Sequence, residues 1–197
     1  MEILQETDNS IYLKFISKEQ KFKLADQECK FKYMQLDLDT LQTGWGRFEN
    51  GYEFVWNDVL GAKTEPPAGH GWTRAFSIWV MVDGVEDRPL LWQRNSSNEY
   101  QTMLNILSQC WNQKAERSPS LPCFQYDGYE TVKGKYGDFY KSKFAFVDWK
   151  PRKDTFVIPT FDAPNDDDWI SPNAGLSDKV DEQVAKSGDI TEDDLPF

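Results

Sequence analysis

Cationic and aromatic side chains are interleaved in residues 129–153. This stretch holds seven Lys or Arg, three Asp or Glu and seven aromatic residues. In an extended strand, alternation places four of them on one face: Phe139, Lys141, Lys143 and Trp149. A nucleobase stacks on an aromatic ring for about 1–3 kcal/mol, and Lys or Arg holds the phosphates. The pattern therefore predicts an exposed face that binds single-stranded nucleic acid.

Further cations and aromatics extend this candidate set. The turn of the same hairpin contributes Lys133, Lys135 and Tyr136. The rest of the chain contributes Trp45, Arg47, Lys63, Trp72, Arg74, Trp79, Trp92 and Arg94. Every Trp has an alternative role in the core, because large aromatic residues dominate small barrels. For each single lysine, the alternative is a solvated strand face.

The end of the sequence has a second pattern with chemical meaning. Acidic residues are followed by an apolar residue, a proline and an aromatic residue, in the order Asp193, Asp194, Leu195, Pro196 and Phe197. We expect Phe197 to enter an apolar pocket of a partner while its carboxylate meets a cation at the rim. The acids add long-range attraction to a basic surface. This segment, residues 193–197, is called the tip below.

The tip resembles that of bacterial single-stranded DNA-binding proteins, whose tails end in Asp-Asp-Asp-Ile-Pro-Phe. The body does not resemble the bacterial protein's OB domain in sequence; with one large OB-like domain and an acidic tail, the chain looks more like a bacteriophage single-stranded DNA-binding protein. The resemblance implies a protein that protects single strands in replication, recombination or repair, in the cytoplasm of a bacterial host. It implies that the tip recruits replication or repair proteins such as a polymerase, helicase, exonuclease or recombinase. It also implies that the acidic tail occupies the DNA site when DNA is absent.

Charge divides the chain into two regions. Residues 154–197 hold twelve acids and two lysines, whereas residues 1–153 hold 21 acids and 20 bases. The net charge of −11 is therefore almost entirely a property of the end of the chain. Low hydrophobicity and high charge cannot offset the entropy of ordering, so we expect residues 160–197 to be a disordered acidic tail. Residues 1–159 are the predicted DNA-binding domain.

The body is predicted to be mainly β. Residues 33–41, 52–59, 72–82 and 90–94 have strand character, and the hairpin strands follow at 129–133 and 139–149. One amphipathic helix begins at Ser96, which forms a possible capping box with Glu99. Three strands, one helix and two strands is the element order of an OB-fold, a five-stranded Greek-key barrel with one helix between strands 3 and 4. An SH3-like barrel and an α+β sandwich share this order.

Catalysis is not expected. Cys29, Cys110 and Cys123 are widely spaced and His70 is the only histidine, so neither a zinc site nor a nucleophile–base pair is indicated. We predict no metal or cofactor. The first residues lack a signal peptide's basic and apolar regions, so we expect a cytoplasmic protein. Two alternatives remain: a metal-dependent nuclease or other small nucleic-acid enzyme, or an adaptor that uses the tip without binding DNA.

Overall fold

The computed structural model describes residues 11–49, 51–85, 87–134 and 137–159. Ten strands form one mixed sheet, so the prediction of a mainly β protein is confirmed. The strands are β1 (Tyr12–Ile16), β2 (Lys21–Leu24), β3 (Gln27–Glu28), β4 (Tyr33–Leu36), β5 (Gln42–Phe48), β6 (Tyr52–Trp56), β7 (Thr73–Val82), β8 (Leu90–Arg94), β9 (Leu121–Gly134) and β10 (Gly137–Lys150). Helix α1 spans Ser97–Cys110, and the single turn α2 spans Lys114–Arg117. No helix of the described part of the chain is long and apolar enough to cross a membrane.

The strands follow the order β10-β9-β4-β7-β8-β1-β2-β3, and the β5–β6 hairpin branches from β7. All pairs are antiparallel except β1 with β8. The Ser17 hydroxyl donates to the carbonyl of Tyr140 at 2.8 Å and accepts from its N–H at 3.0 Å. This pair joins the β1–β2 turn to β10, so the sheet curls until distant strands meet.

More strands are present than the five of the predicted OB-fold. The six segments with predicted strand character correspond to β4, β6, β7, β8, β9 and β10, with α1 between β8 and β9. Strands β1 to β3 precede them, and β5 lies between β4 and β6. The predicted strand 33–41 is broken by a turn of 3₁₀ helix at Leu38–Thr40, where the carboxylate of Asp37 accepts from the N–H of Asp39.

The main core lies between the inner face of the sheet and α1. The predicted apolar face of α1 is buried, including Met103 and Leu107. The predicted capping box is wrong: the Ser96 side chain forms no cap, and Glu99 is instead buried and accepts from the Ser142 hydroxyl at 3.1 Å. Burial raises the pKa of Glu99 to about 7. The first turn of α1 is thus bonded to β10.

A second, smaller core lies on the outer face of the sheet, under residues 151–159, which we call the strap. Phe156 of the strap packs with Trp79, Met81 and Leu121. The strap has no strand structure. Residues 160–197, the predicted disordered tail, lie outside the described residues.

Two ion pairs anchor the strap. The guanidinium of Arg152 lies 2.7 Å from the carboxylate of Asp37, and the ammonium of Lys153 lies 2.9 Å from that of Asp87. Asp37 is almost fully buried. The chain therefore leaves the described part of the fold on the outer face of the sheet.

Candidate nucleic-acid interface

Strand register builds a polar row across the outer face of the sheet. Gln42 pairs with Ser77, and Ser77 pairs with Gln93. Leu13 pairs with Trp92 in the parallel β1–β8 ladder, so the next residue, Lys14, lies level with Gln93. Lys14 in turn pairs with Lys23 on β2. We call the residues Gln42, Ser77, Gln93, Lys14 and Lys23 the polar row; it ends in two lysines.

Small residues of β5 and β7 lie on the outer face beside the polar row, and we call Gly44, Gly46, Thr73 and Ala75 the floor. Gly44 pairs with Ala75, and Gly46 pairs with Thr73. A Cβ on Gly44 would lie 2.2 Å from the carbonyl oxygen of Val55, and one on Gly46 would lie 2.6 Å from the Cβ of Asn95. Both distances are well below contact, so glycine is required at each position. The space that a side chain would need there is filled by β6 and Asn95.

Four aromatic rings stand at the edge of this floor. Tyr52, Phe54 and Trp56 alternate along β6 and share one face. The planes of Tyr52 and Phe54 are inclined by 13° with centroids 6.1 Å apart, and those of Phe54 and Trp56 by 7° at 5.1 Å. Phe48 contacts Tyr52 edge-on at 5.0 Å. We call Phe48, Tyr52, Phe54 and Trp56 the aromatic ladder.

The aromatic ladder presents apolar surface to solvent. Phe48 is 47% and Tyr52 45% exposed, and Phe54 and Trp56 are partly buried. The sequence analysis missed these residues as a site, although aromatics at positions i, i+2 and i+4 of one strand were a usable signal. The ring of Phe54 lies 2.8 Å from the position that a Cβ on Gly46 would take. The glycine thus lets this ring rest on the sheet.

Four predicted candidates meet on the other face of the β5–β6 hairpin. The guanidinium of Arg74 lies 4.1 Å from the ring centroid of Trp45, and that of Arg47 lies 4.6 Å from the ring centroid of Trp72. The indole N–H of Trp45 donates to Thr64 at 3.1 Å. These contacts hold the loop of residues 57–72 against the hairpin. Residues 44–46 belong to strand β5, and the Trp45 side chain contacts Arg74 and Thr64.

Lys63, another predicted candidate, lies in this loop, and its side chain is exposed. Arg47 also pairs with two acids, Glu53 at 2.7 Å and Glu49 at 3.2 Å. The charge of this guanidinium is therefore compensated within the hairpin. Its contact with the ring of Trp72 supports the loop more directly than it offers a phosphate contact.

The predicted basic hairpin is β9–β10, and its charges are largely balanced. Lys141 forms an ion pair with Glu130 at 2.7 Å, and Lys133 lies opposite Asp138 in register. Lys143 is exposed and has no ion pair within the described residues. The described parts of the two strands hold four lysines and four acids. Lys135 and Tyr136, at the turn, lie outside the described residues.

Irregular register places one hairpin residue differently from the prediction. Phe144 and Phe146 pack on the core. A bulge between Phe146 and Asp148 then turns Trp149 to this same side, opposite Pro122. The indole N–H of Trp149 donates to Gln113 at 3.2 Å. The placement of Trp149 on the face of Lys141 and Lys143 is therefore wrong.

The other residues of the predicted set divide between core and surface. Trp92 is fully buried, and Trp79 is 9% exposed beneath the strap, so neither offers a face to a ligand. Arg94 lies on the core side, within electrostatic range of Glu99. The ring of Phe139 on β10 lies 2.6 Å from the position that a Cβ on Gly134 would take, so this ring covers the end of the hairpin.

Lysines of the polar row occupy different environments. Burial lowers the pKa of Lys14, the nearby Arg94 lowers it further, and Asp26 opposes the shift in part. Lys23 pairs with Glu19 at 2.6 Å, and Lys21 shares the same carboxylate at 3.1 Å. These ammonium groups hold the pKa of Glu19 below its usual value. Residues 12–30, which form β1 to β3, hold five lysines and three acids, so this edge of the sheet retains a small positive charge.

Comparisons with known proteins give no relative. No protein-family model matches the chain, and neither a curated protein nor a solved structure matches it. Within the described residues, no group of three or more His, Cys, Asp or Glu is placed to hold a metal ion.

Proposed function

We propose that the chain is a non-catalytic, sequence-independent single-stranded DNA-binding protein. In this proposal, the strand crosses the outer face of the sheet from the aromatic ladder to Lys14 and Lys23. The observation that carries the proposal is the aromatic ladder, with two exposed rings, across the outer face of the sheet from a pair of lysines. The β9–β10 hairpin, with its exposed Lys143, is an additional contact.

The physical argument rests on the two parts of a nucleotide. Every base has a π-face, so aromatic stacking is tolerant of sequence and contributes about 1–3 kcal/mol per base. Phosphates require cations, and each one neutralised makes binding more salt-dependent. Between the two ends, Gln42 and Gln93 supply hydrogen-bonding groups on either side of the buried Ser77.

We infer that the body is an OB-fold with additions. The strand order β9-β4-β7-β8 is a fourth strand returning beside the first, which is the Greek-key order. OB-folds bind oligonucleotides on the face of strands 2 and 3 and on the loops that join strands 1–2 and 4–5. With β4 as strand 1, these elements are β7, β8, residues 37–72 and the turn at 135–136. The aromatic ladder and the turn residues Lys135 and Tyr136 fall within these elements.

The test compares two exposed tyrosines by fluorescence anisotropy with a labelled oligo-dT. Tyr52→Ala removes an aromatic ladder ring, whereas Tyr129→Ala removes a ring of similar exposure, 44%, on β9. We expect the first to weaken binding about tenfold, as the loss of one stacked base predicts. The second should change it little. Equal effects of the two variants would place the DNA elsewhere, and no binding by the intact chain would favour the adaptor alternative.

We further propose that the tip recruits replication or repair proteins in a bacterial cytoplasm. The support is the sequence of acids, Leu195, Pro196 and Phe197, which suits an apolar pocket with a basic rim.

The alternative of a nuclease would need carboxylates gathered on a rigid core to hold its metal ions. This alternative is tested by incubating a labelled single strand with the protein and Mg²⁺ or Mn²⁺. We expect the strand to remain intact.

A further inference from the structure

A cavity of about 380 Å³ lies at the end of the fold where α1 stops and β9 begins. Its walls include two tryptophans, Trp111 and Trp149, and two prolines, Pro119 and Pro122. The volume is within the range of about 300–1,000 Å³ that is typical of ligand sites. None of its lining residues belongs to the polar row or the aromatic ladder. We call it the Trp cavity.

Lys114 and Arg152 line the Trp cavity, and each forms an ion pair with an aspartate. Lys114 lies 2.6 Å from the carboxylate of Asp39 and 5.2 Å from the ring centroid of Trp111. Arg152 lies 2.7 Å from the carboxylate of Asp37. The Asp39 side chain is 69% exposed, so another carboxylate can replace it at little cost. A guanidinium has five N–H donors, so Arg152 can accept a second anion beside Asp37.

We propose that the Trp cavity binds the tip of this chain, residues 193–197. Leu195, Pro196 and Phe197 supply the apolar surface that the tryptophan and proline walls would cover. Proline-containing segments bind in aromatic-lined grooves with a small loss of entropy. Asp193 and Asp194 supply the carboxylates for Lys114 and Arg152. The occupant and the cavity are therefore complementary in both charge and apolar character.

The length of the chain permits this contact. Arg152 lines the Trp cavity and precedes Pro159, the last described residue, by seven positions. Pro159 is therefore within about 25 Å of the cavity. Asp193 follows Pro159 by 34 positions, which can extend over about 110 Å. The tip of the same chain, or that of a second copy, can reach the cavity.

The test is ¹⁹F NMR of the full chain labelled with 5-fluorotryptophan, without DNA. Single Trp→Phe variants assign the resonances of Trp111 and Trp149. Replacing Leu195 and Phe197 by Ser should shift these two resonances and leave those of Trp45 and Trp72 in place. Mixing labelled tip variant with unlabelled intact chain restores the shift if the tip comes from a second copy. If the resonances of Trp111 and Trp149 are the same in the parent and in the tip variant, the proposal is wrong.

Charge variants provide the matched control. In a Lys114→Glu background, the tip substitutions should cause no further shift, because docking is already lost. In an Arg117→Glu background they should act as in the parent, because this exposed residue of the same short helix does not line the Trp cavity. Shifts caused by oligo-dT in the tip variant would assign the cavity to nucleic acid instead. Because the main measurement contains no DNA, its failure leaves the proposed DNA binding untouched.

Discussion

Lys14 and Lys23 are paired directly across strands β1 and β2, with both side chains on the outer face of the sheet. Like charges placed opposite each other destabilise a sheet. Glu19 compensates Lys23 at 2.6 Å, whereas Lys14 is half-buried and its pKa is lowered by burial and by Arg94. An arrangement that costs stability in the free protein is understandable if an anion completes it. The proposed phosphate backbone is such an anion.

Substitution of these lysines should separate stability from binding. Lys14→Gln should raise the free energy of unfolding by a few tenths of a kcal/mol, because it removes the repulsion. The same change should weaken single-strand binding and reduce the slope of log K against log salt by about 0.7, the value for one phosphate. Denaturant melts and anisotropy titrations at several salt concentrations measure the two effects. Lys30→Gln is the control, since Lys30 is 82% exposed and lies off this row; an equal loss in both variants would argue against a specific contact.

Gly46→Ala should destabilise the fold. The added Cβ would lie 2.6 Å from the Cβ of Asn95 and 2.8 Å from the ring of Phe54, so the β5–β6 hairpin must move. Overpacking of this kind costs about 1–3 kcal/mol. Urea melts of Gly46→Ala and of Ser108→Ala, an exposed helical position, give the comparison. A stability equal to that of the parent would show that Asn95 and Phe54 can move aside to admit the added methyl group.

Glu99 should make stability fall as the pH rises towards neutrality. Its pKa is raised by burial from 4.5 to about 7, so the folded state holds a proton that the unfolded state releases between these values. The stability contributed by the protonated carboxyl is full below pH 4.5 and is lost progressively as the pH approaches 7. Glu99→Gln, which keeps a polar group beside Ser142, should remove this component. The parent-minus-variant difference in unfolding free energy, measured from pH 4.5 to 8, should therefore decline; a flat difference would contradict the assignment.

Removal of residues 160–197 should strengthen single-strand binding at low salt. This segment carries eleven acids and two lysines, so it competes with phosphates for the cationic edge of the outer face. The gain should shrink as salt rises, because exposed charges are screened over about 10 Å at 0.1 M. Anisotropy at two salt concentrations measures it, and circular dichroism checks that residues 1–159 fold alone. Weaker binding after truncation would mean that the tail contributes to the DNA site.

Phe197→Ala should weaken docking to a replication or repair partner by about ten- to a hundredfold and leave DNA affinity nearly unchanged. Burial of the aromatic ring supplies about 1.5–3 kcal/mol of the roughly 8 kcal/mol of a micromolar contact. Surface plasmon resonance with a bacterial host extract fraction, followed by purified candidates, measures the loss. Ile190→Ala, outside the tip, is the matched apolar control. Partner binding that is unchanged by Phe197→Ala would make the resemblance of the tip accidental.

Local pattern was sufficient for the elements that one stretch of chain defines. The apolar spacing along 100–111 predicted α1, and residues 90–94 were recognised as the strand that became β8. The strand character of residues 52–59 and 72–82 correctly marked β6 and β7. In each case, the information lies within about ten consecutive residues, and burial of one face enforces it.

Tertiary structure decided what depends on register between distant strands. Gln42, Ser77, Gln93, Lys14 and Lys23 form one row only because four strand pairings align them, and no local pattern encodes those pairings. A single bulge sent Trp149 to the core side, since one extra residue reverses the alternation of every later side chain. The sequence by itself determined which chemistry is present: stacking rings, cations and an acidic tip. Which rings and cations share a surface was decided by pairing energies summed over the whole sheet.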